Sequence, residues 1–223
     1  MTAHSFDAVL WDFGGVILTS PFEAFNRYER ERGLPADFLR AVNAVDPDTN
    51  AWARFERSEI SAEQFDVLFA VESERRGHRV PGADVLALLH GDLRPEMVVA
   101  LDRVRAAGLR TACLTNNVAG GDGQRQGSEV DADPSGRTAQ IAAVMSRFDI
   151  VVESSKVGVR KPEVRFYELS CSLLGVTPGR CVFLDDLGVN LKPAAAMGMH
   201  TIKVLDAAQA LDDLERALGL PLR

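Results

Sequence analysis

Carboxylates at the ends of apolar runs dominate the chemistry this chain can offer. Asp12 follows Ala8-Val9-Leu10-Trp11, and far downstream Asp185 and Asp186 follow Val182-Phe183-Leu184. A short unbroken apolar run reads as a parallel strand buried on both faces, so each acid stands where a strand leaves its sheet. Ligands of open α/β sheets bind in the crevice beyond those carboxyl ends. Acids from two such ends facing one crevice would make the hard, oxygen-rich site that Mg²⁺ accepts. A single aspartate of this kind reads as a helix N-cap. Two acidic strand ends, in this order, point to enzymology instead.

Three further residues join the set. Thr115 and Asn116 close the apolar run Ala112-Cys113-Leu114, and a hydroxyl beside exposed backbone amides suits a phosphoryl oxygen. Lys161 lies in Gly158-Val159-Arg160-Lys161-Pro162, where Pro162 is expected to open a helix and the cation precedes it. By itself that lysine would read as a solvated surface residue. As the only carboxylate at the first strand end, Asp12 is the candidate nucleophile or metal ligand.

The elements that must position these residues follow from hydrophobic periodicity. Strands are expected near residues 8–12, 111–115, 150–152, 181–184 and 201–205, with helices between them near 95–107, 138–147, 162–174, 191–197 and 207–218. Pro95 and Glu96 open the first of these helices, Met97, Leu101 and Val104 give it one apolar face, and Gly108 closes it. Residues 21–90 carry no strong strand signal and are broken at Gly33-Leu34-Pro35 and Asp46-Pro47-Asp48, which reads as an all-helical insertion. The expected fold is therefore α/β, a Rossmann-like, mostly parallel sheet covered by helices on both faces, with an all-helical cap inserted after the first strand. The corresponding division is a core of residues 1–18 and 94–223 and a cap of residues 19–93. Residues 119–137 are Gly-rich and polar but lack the third glycine of a dinucleotide fingerprint, so they read as a mobile surface loop with room for a lid role.

Composition limits the partners. A chain of 223 residues with 46% hydrophobic and 26% charged residues can bury a substantial core. Its formal charge of −7 speaks against a nucleic-acid or anionic-membrane surface. Cys113, Cys171 and Cys181 cannot all pair within the chain and match no zinc or thioredoxin spacing, so they read as reduced core thiols. With neither a leader-like N-terminus nor a membrane-length apolar run, the expected location is the cytoplasm. His4, His78 and His90 form no metal spacing, and His200 reads as structural.

The order Asp12, Thr115, Lys161, Asp185-Asp186 resembles the four motifs of the haloacid dehalogenase superfamily. Within it, Leu114-Thr115-Asn116-Asn117, Gly158-Val159-Arg160-Lys161-Pro162 and the run from Phe183-Leu184-Asp185-Asp186 through Asn190-Leu191-Lys192-Pro193 look most like the N-terminal phosphatase domain of soluble epoxide hydrolases and its bacterial relatives. That resemblance implies a Mg²⁺-dependent phosphatase working on a small phosphorylated metabolite through an aspartyl phosphate. It implies Asp12 as nucleophile and Lys161 as the charge-neutralising catalytic cation. Mg²⁺ would be held by Asp12, the carbonyl of Gly14, Asp185 and Asp186. Thr115, Asn116 and Asn190 would orient substrate or brace the site.

One position departs from the pattern. Phosphatases of the superfamily usually carry a second aspartate two residues after the nucleophile, where this chain has Gly14. A carbonyl ligand survives that change, but general acid help, typically worth about 10²–10⁴ in rate, does not. The expected consequence is a preference for leaving groups that depart without a proton. Two competing readings are a metal-independent 2-haloacid dehalogenase, with Arg40 as a halide-binding cap residue, and a catalytically silent binding or regulatory protein. The dehalogenase reading has no need of the adjacent acids Asp185 and Asp186.

Overall fold

The computed structural model describes residues 5–89, 91–117 and 136–223. Five strands, β1 (Ala8–Trp11), β2 (Arg110–Thr115), β3 (Ile150–Glu153), β4 (Cys181–Asp185) and β5 (His200–Lys203), form one wholly parallel sheet in the order β3-β2-β1-β4-β5. The chain winds outward from β1 to β3 and then crosses back to place β4 on the other side of β1. The strand order therefore reverses at β1 and β4, which opens a crevice at their carboxyl ends.

Both faces of the central strands β1 and β4 are buried, which is why those strands are continuous apolar runs. Val9 and Trp11 pack toward α6 (Pro95–Ala106) and α11 (Ala207–Leu218), through residues such as Leu101 and Leu214. Ala8 and Leu10 face the opposite way, toward Phe166 of α9 (Val164–Leu174) and Leu191 of α10 (Gly188–Ala196). Full burial of each such side chain is worth about 1.5–3 kcal/mol, so a one-residue slip of β1 would exchange two packed faces at once.

Among the described residues, the insertion between β1 and α6 carries the α-helices α1 (Phe22–Arg32), α2 (Phe38–Asn43), α3 (Ala51–Glu56), α4 (Ala62–Glu74) and α5 (Gly82–Ala87). Their ends are where the local sequence puts them. Gly33 terminates α1 in the left-handed region, at φ 65°. Asn50 caps α3 by accepting from the Ala53 amide at 2.8 Å, and Ser61 and Gln64 form a capping box at the start of α4. These helices share a core separate from those of the sheet, centred on Phe65, whose ring lies 4.9 Å from Phe55 and 5.4 Å from Phe69. The insertion leaves and returns through one short antiparallel pairing, Leu18 with Leu93, flanked by Thr19 N–H to Asp92 O at 2.8 Å and Arg94 N–H to Ile17 O at 2.9 Å.

The expected α/β architecture with an inserted helical cap is what the structure shows. Two details differ. The helix expected from Pro162 begins at Val164, because the backbone N–H and C=O of Lys161 are both taken by the Asn116 side chain, which holds that residue in a loop; the Lys161–Pro162 peptide is cis. The Gly-rich stretch expected as a loop over residues 119–137 lies almost wholly outside the described residues. Its last residue belongs to α7 (Arg137–Met145), which Gly136 precedes at φ 66°. The remaining short helix, α8 (Ser154–Val157), follows β3 directly.

Candidate active site

Parallel pairing sets the acids side by side. Trp11 is in register with Leu184, so Asp12 is level with Asp185, and the Asp12 amide donates to Leu184 O at 2.9 Å. One carboxylate oxygen from each of Asp12, Asp185 and Asp186 can be chosen so that all lie within 4.8 Å of one another. Lys161, 1% exposed, stands between two of them, with Nζ 2.8 Å from Asp12 Oδ1 and 2.8 Å from Asp185 Oδ2. Charges buried this deeply persist only when paired.

Each acid is held differently. Asp12 Oδ1 receives the Phe13 amide at 2.6 Å as well as Lys161, while no donor among the described residues bonds Oδ2. One oxygen of Asp12 is thus fixed. Asp185, fully buried, accepts from the Leu187 amide at 2.8 Å and from Asn190 Nδ2 at 3.0 and 3.1 Å. Asp186 is less enclosed, and Ser20 Oγ reaches its Oδ2 at 3.5 Å.

The turn after Asp12 explains the glycine pair. A Cβ on Gly15 would lie 2.3 Å from Asp186 Oδ2, and Gly15 has φ 78°, so a side chain there would both strain the backbone and evict the acid. Gly14 is the opposite case. Its backbone, at φ −69° and ψ 132°, suits any residue, and no heavy atom lies within 4 Å of where its Cβ would be.

Three carboxylates share one ammonium here, and the imbalance shows in their proton affinities. Burial pushes the Asp12 carboxyl well above the ordinary range, with Lys161 opposing and Asp185 and Asp186 adding to the rise. Burial and then Asp185 lift Asp186 to about 6. Burial works against the Lys161 ammonium, but Asp12 and Asp185 outweigh it and raise its proton affinity. An all-oxygen donor set with excess negative charge fits a hard divalent cation, and Mg²⁺ is the ion it suits.

The other predicted residues fall around this cluster. Thr115, 6% exposed, ends β2 next to β1. The Asn116 amide clasps Lys161, accepting from the Lys161 N–H at 2.9 Å and donating to the Lys161 O at 2.9 Å, while its Nδ2 also donates to Glu56 Oε2 at 3.3 Å. Asn190 faces Asp185, and its carbonyl accepts the Tyr167 hydroxyl at 2.7 Å. The structure therefore turns the side chains of Asn116 and Asn190 onto Lys161 and Asp185 respectively. Arg40 lies within the insertion, 4.7 Å over the Phe22 ring. The three cysteines are free and buried, and burial raises the Cys113 thiol far above its usual range.

Gly15, Ser20, Glu56 and Arg160 complete the surroundings and were not singled out by sequence reasoning. The Gly14-Gly15 pair was a visible sign of a tight approach. Nothing marked Glu56, one acid among many on charged helices.

The sequence matches the haloacid dehalogenase-like hydrolases over residues 6–198, and the chain belongs to that family. It is 35% identical over 224 residues to acyl-CoA dehydrogenase family member 10 of Mus musculus, covering 98% of this chain and 20% of that protein. It is 32% identical over 222 residues to bifunctional epoxide hydrolase 2 of the same species, covering 94% of this chain and 38% of that one, as the resemblance led us to expect. The chain thus spans between a fifth and two-fifths of the length of these relatives. A solved HAD family enzyme from Bacteroides thetaiotaomicron, in complex with magnesium and inorganic phosphate, shares the fold with a TM-score of 0.57 at 18% identity, over 89% of this chain and 93% of that one. No helix among the described residues is long and apolar enough to cross a membrane.

Proposed function

We propose that this chain is a Mg²⁺-dependent phosphatase acting on a small phosphorylated metabolite, with residues 19–93 as a cap over a catalytic domain of residues 1–18 and 94–223. The observation that carries the reading is the carboxylate cluster bridged by Lys161, with one oxygen of Asp12 left unbonded among the described residues. Asp12, the Gly14 carbonyl, Asp185 and Asp186 would hold the ion. When bound, it supplies charge neutralisation for the transferring phosphoryl oxygens.

Asp12 Oδ2 attacks phosphorus, forming an acyl phosphate as the bond to the leaving oxygen breaks. Lys161 stays ionised throughout, because two carboxylates hold its proton, and it balances charge on the group in flight. The Thr115 hydroxyl and the backbone that follows it orient the phosphate. Asn116 keeps Lys161 in place, and Asn190 keeps Asp185 in place. Water then attacks the aspartyl phosphate, releasing inorganic phosphate and restoring the Asp12 carboxylate.

The space at Gly14 shapes the substrate class. With no side chain there to protonate a departing oxygen, the enzyme favours acyl, aryl or anomeric sugar phosphates, whose leaving groups are stable as anions. The test is phosphate release across a panel of phosphomonoesters of graded leaving-group pKa, with and without Mg²⁺, using Asp12→Asn as control. Steep dependence on leaving-group pKa supports the reading. Chloride release from 2-haloacids without metal would replace it with dehalogenation, and metal binding without turnover of any ester would replace it with a silent role.

A further inference from the structure

Glu56 carries a buried charge that the reacting cluster does not touch. It is the last residue of α3, in the helical insertion, and its side chain is 6% exposed. Three donors converge on it: Trp52 Nε1 at 2.8 Å from one turn back in the same helix, Asn116 Nδ2 at 3.3 Å, and Arg160 Nε. The last two belong to the sheet side of the molecule. Asn116 directly follows Thr115, and Arg160 directly precedes Lys161.

From there the bonds run straight to the site. The Asn116 amide clasps the Lys161 backbone at 2.9 Å in both directions, and the Lys161 ammonium lies 2.8 Å from Asp12 and 2.8 Å from Asp185. Around Glu56 the insertion makes a polar seam with the sheet side. Arg57 Nη1 lies 3.2 Å from Glu163 Oε1, Ser58 Oγ donates to Ser155 O at 3.0 Å, and Arg160 Nη1 donates to Pro47 O at 3.1 Å. Pairing the buried Glu56 carboxylate with the half-buried Arg160 guanidinium contributes little net stability compared with apolar packing, but it ties the insertion to the sheet side. That pair fixes the two residues that bracket and clasp Lys161.

We propose that Glu56 is a positioning residue through which the seated cap sets the place of Lys161. With the insertion docked, Glu56 holds Asn116 and Arg160 together, and Lys161 is presented between Asp12 and Asp185. With Glu56 withdrawn, Asn116 loses an acceptor and Arg160 its counter-charge, so the Lys161 loop is freer to move. Cap docking and charge neutralisation at the phosphoryl group are then one event. This inference rests on the phosphatase reading for the role of Lys161.

The test is a double-mutant cycle read by binding rather than turnover. Affinities for orthovanadate, a mimic of the transferring phosphoryl group, and for inorganic phosphate are measured by calorimetry with Mg²⁺. The proteins are the parent chain, Glu56→Gln, Lys161→Met and the double variant. Glu56→Gln is expected to weaken vanadate about 10-fold, a coupling of about 1.4 kcal/mol, and phosphate less. In the Lys161→Met background the same change is expected to do nothing more. Arg160→Gln cuts the seam from the other side without touching the insertion, and the same pattern is expected of it. Additive losses with Lys161→Met, or vanadate affinity unchanged in both Glu56→Gln and Arg160→Gln, would overturn the proposal. A parent chain that binds neither anion would instead sink the phosphatase reading beneath it.

Discussion

At the carboxyl end of the sheet, Lys161 is locked between Asp12 and Asp185. Those acids are held in turn by adjacent strands and by the backbone amides of Phe13 and Leu187. Beneath the insertion, the pair of Glu56 with Arg160 is held mainly by side chains from two separately packed parts of the chain. Both pairs hold a buried carboxylate, yet the first is built into the parallel ladder and the second, whose Arg160 is only half-buried, closes a seam. On the proposed reading the contrast separates two tasks: the sheet would fix the charges that serve the chemistry, while the seam would fix charges only when the insertion is docked. Each core of the molecule is apolar within itself, so the polar seam is where the parts can separate at least cost.

The largest blow to this contrast is Asp12→Asn. It is expected to cut phosphate release by about 10⁴-fold or more while leaving the sheet folded, because the proposed nucleophile is lost and its size kept. A loss under tenfold, read by phosphate release at saturating ester, would move the reacting group off the sheet end.

Lys161→Met should show how differently the two pairs are built. Removing the ammonium leaves Asp12 and Asp185 facing each other, at a cost of roughly 3–5 kcal/mol in chemical denaturation with chelator present. Adding Mg²⁺ should recover part of that loss. Glu56→Gln, by contrast, should cost roughly 1–3 kcal/mol and be indifferent to Mg²⁺. Equal Mg²⁺ rescue of both variants would erase the distinction between ladder and seam.

Gly14→Asp sharpens the sheet side further. The backbone accepts an L-residue and the space is open, so the variant should fold and gain about 10² in turnover of alkyl phosphates, with little change for aryl phosphates. Equal gains on both would show that proton supply was not the limiting factor.

The smallest effect is a pH response confined to the sheet end. Asp186, lifted to about 6 from an ordinary aspartate near 3.8, holds its proton more tightly folded than unfolded. The folded state therefore binds more protons between about pH 4 and 6, so metal-free stability falls as pH rises through that window. For one proton the slope is bounded by about 1.4 kcal/mol per pH unit. Mg²⁺ competes with that proton, and saturating Mg²⁺ should flatten the slope. Asp186→Asn should remove this contribution, making the metal-free slope between pH 4 and 6 more positive, and a slope unchanged by that substitution would contradict the assignment.

Much of the site was legible in the residues because strand ends are legible. Four apolar residues followed by an acid mark both β1 and β4, and parallel pairing then leaves little choice about where Asp12 and Asp185 meet. The end of α1 was equally readable, since Gly33 acts through neighbours close in sequence. The start of α9 was not, because the Asn116 side chain, 45 residues away, holds Lys161 out of the helix. Glu56 was invisible for the same reason, its sheet-side partners being 60 and 104 residues distant.

By itself, the sequence determined the strand and helix pattern, the helical insertion, the order of the reactive residues and the absence of an acid at position 14. These depend on local periodicity, on turn chemistry and on residue identity. Only the tertiary structure decided that Asn116 and Asn190 serve Lys161 and Asp185, that Gly15 makes room for Asp186, and that a cap carboxylate reaches the Lys161 loop. Each of those depends on which side chain fills the space between elements far apart in the chain, and periodicity carries no record of that.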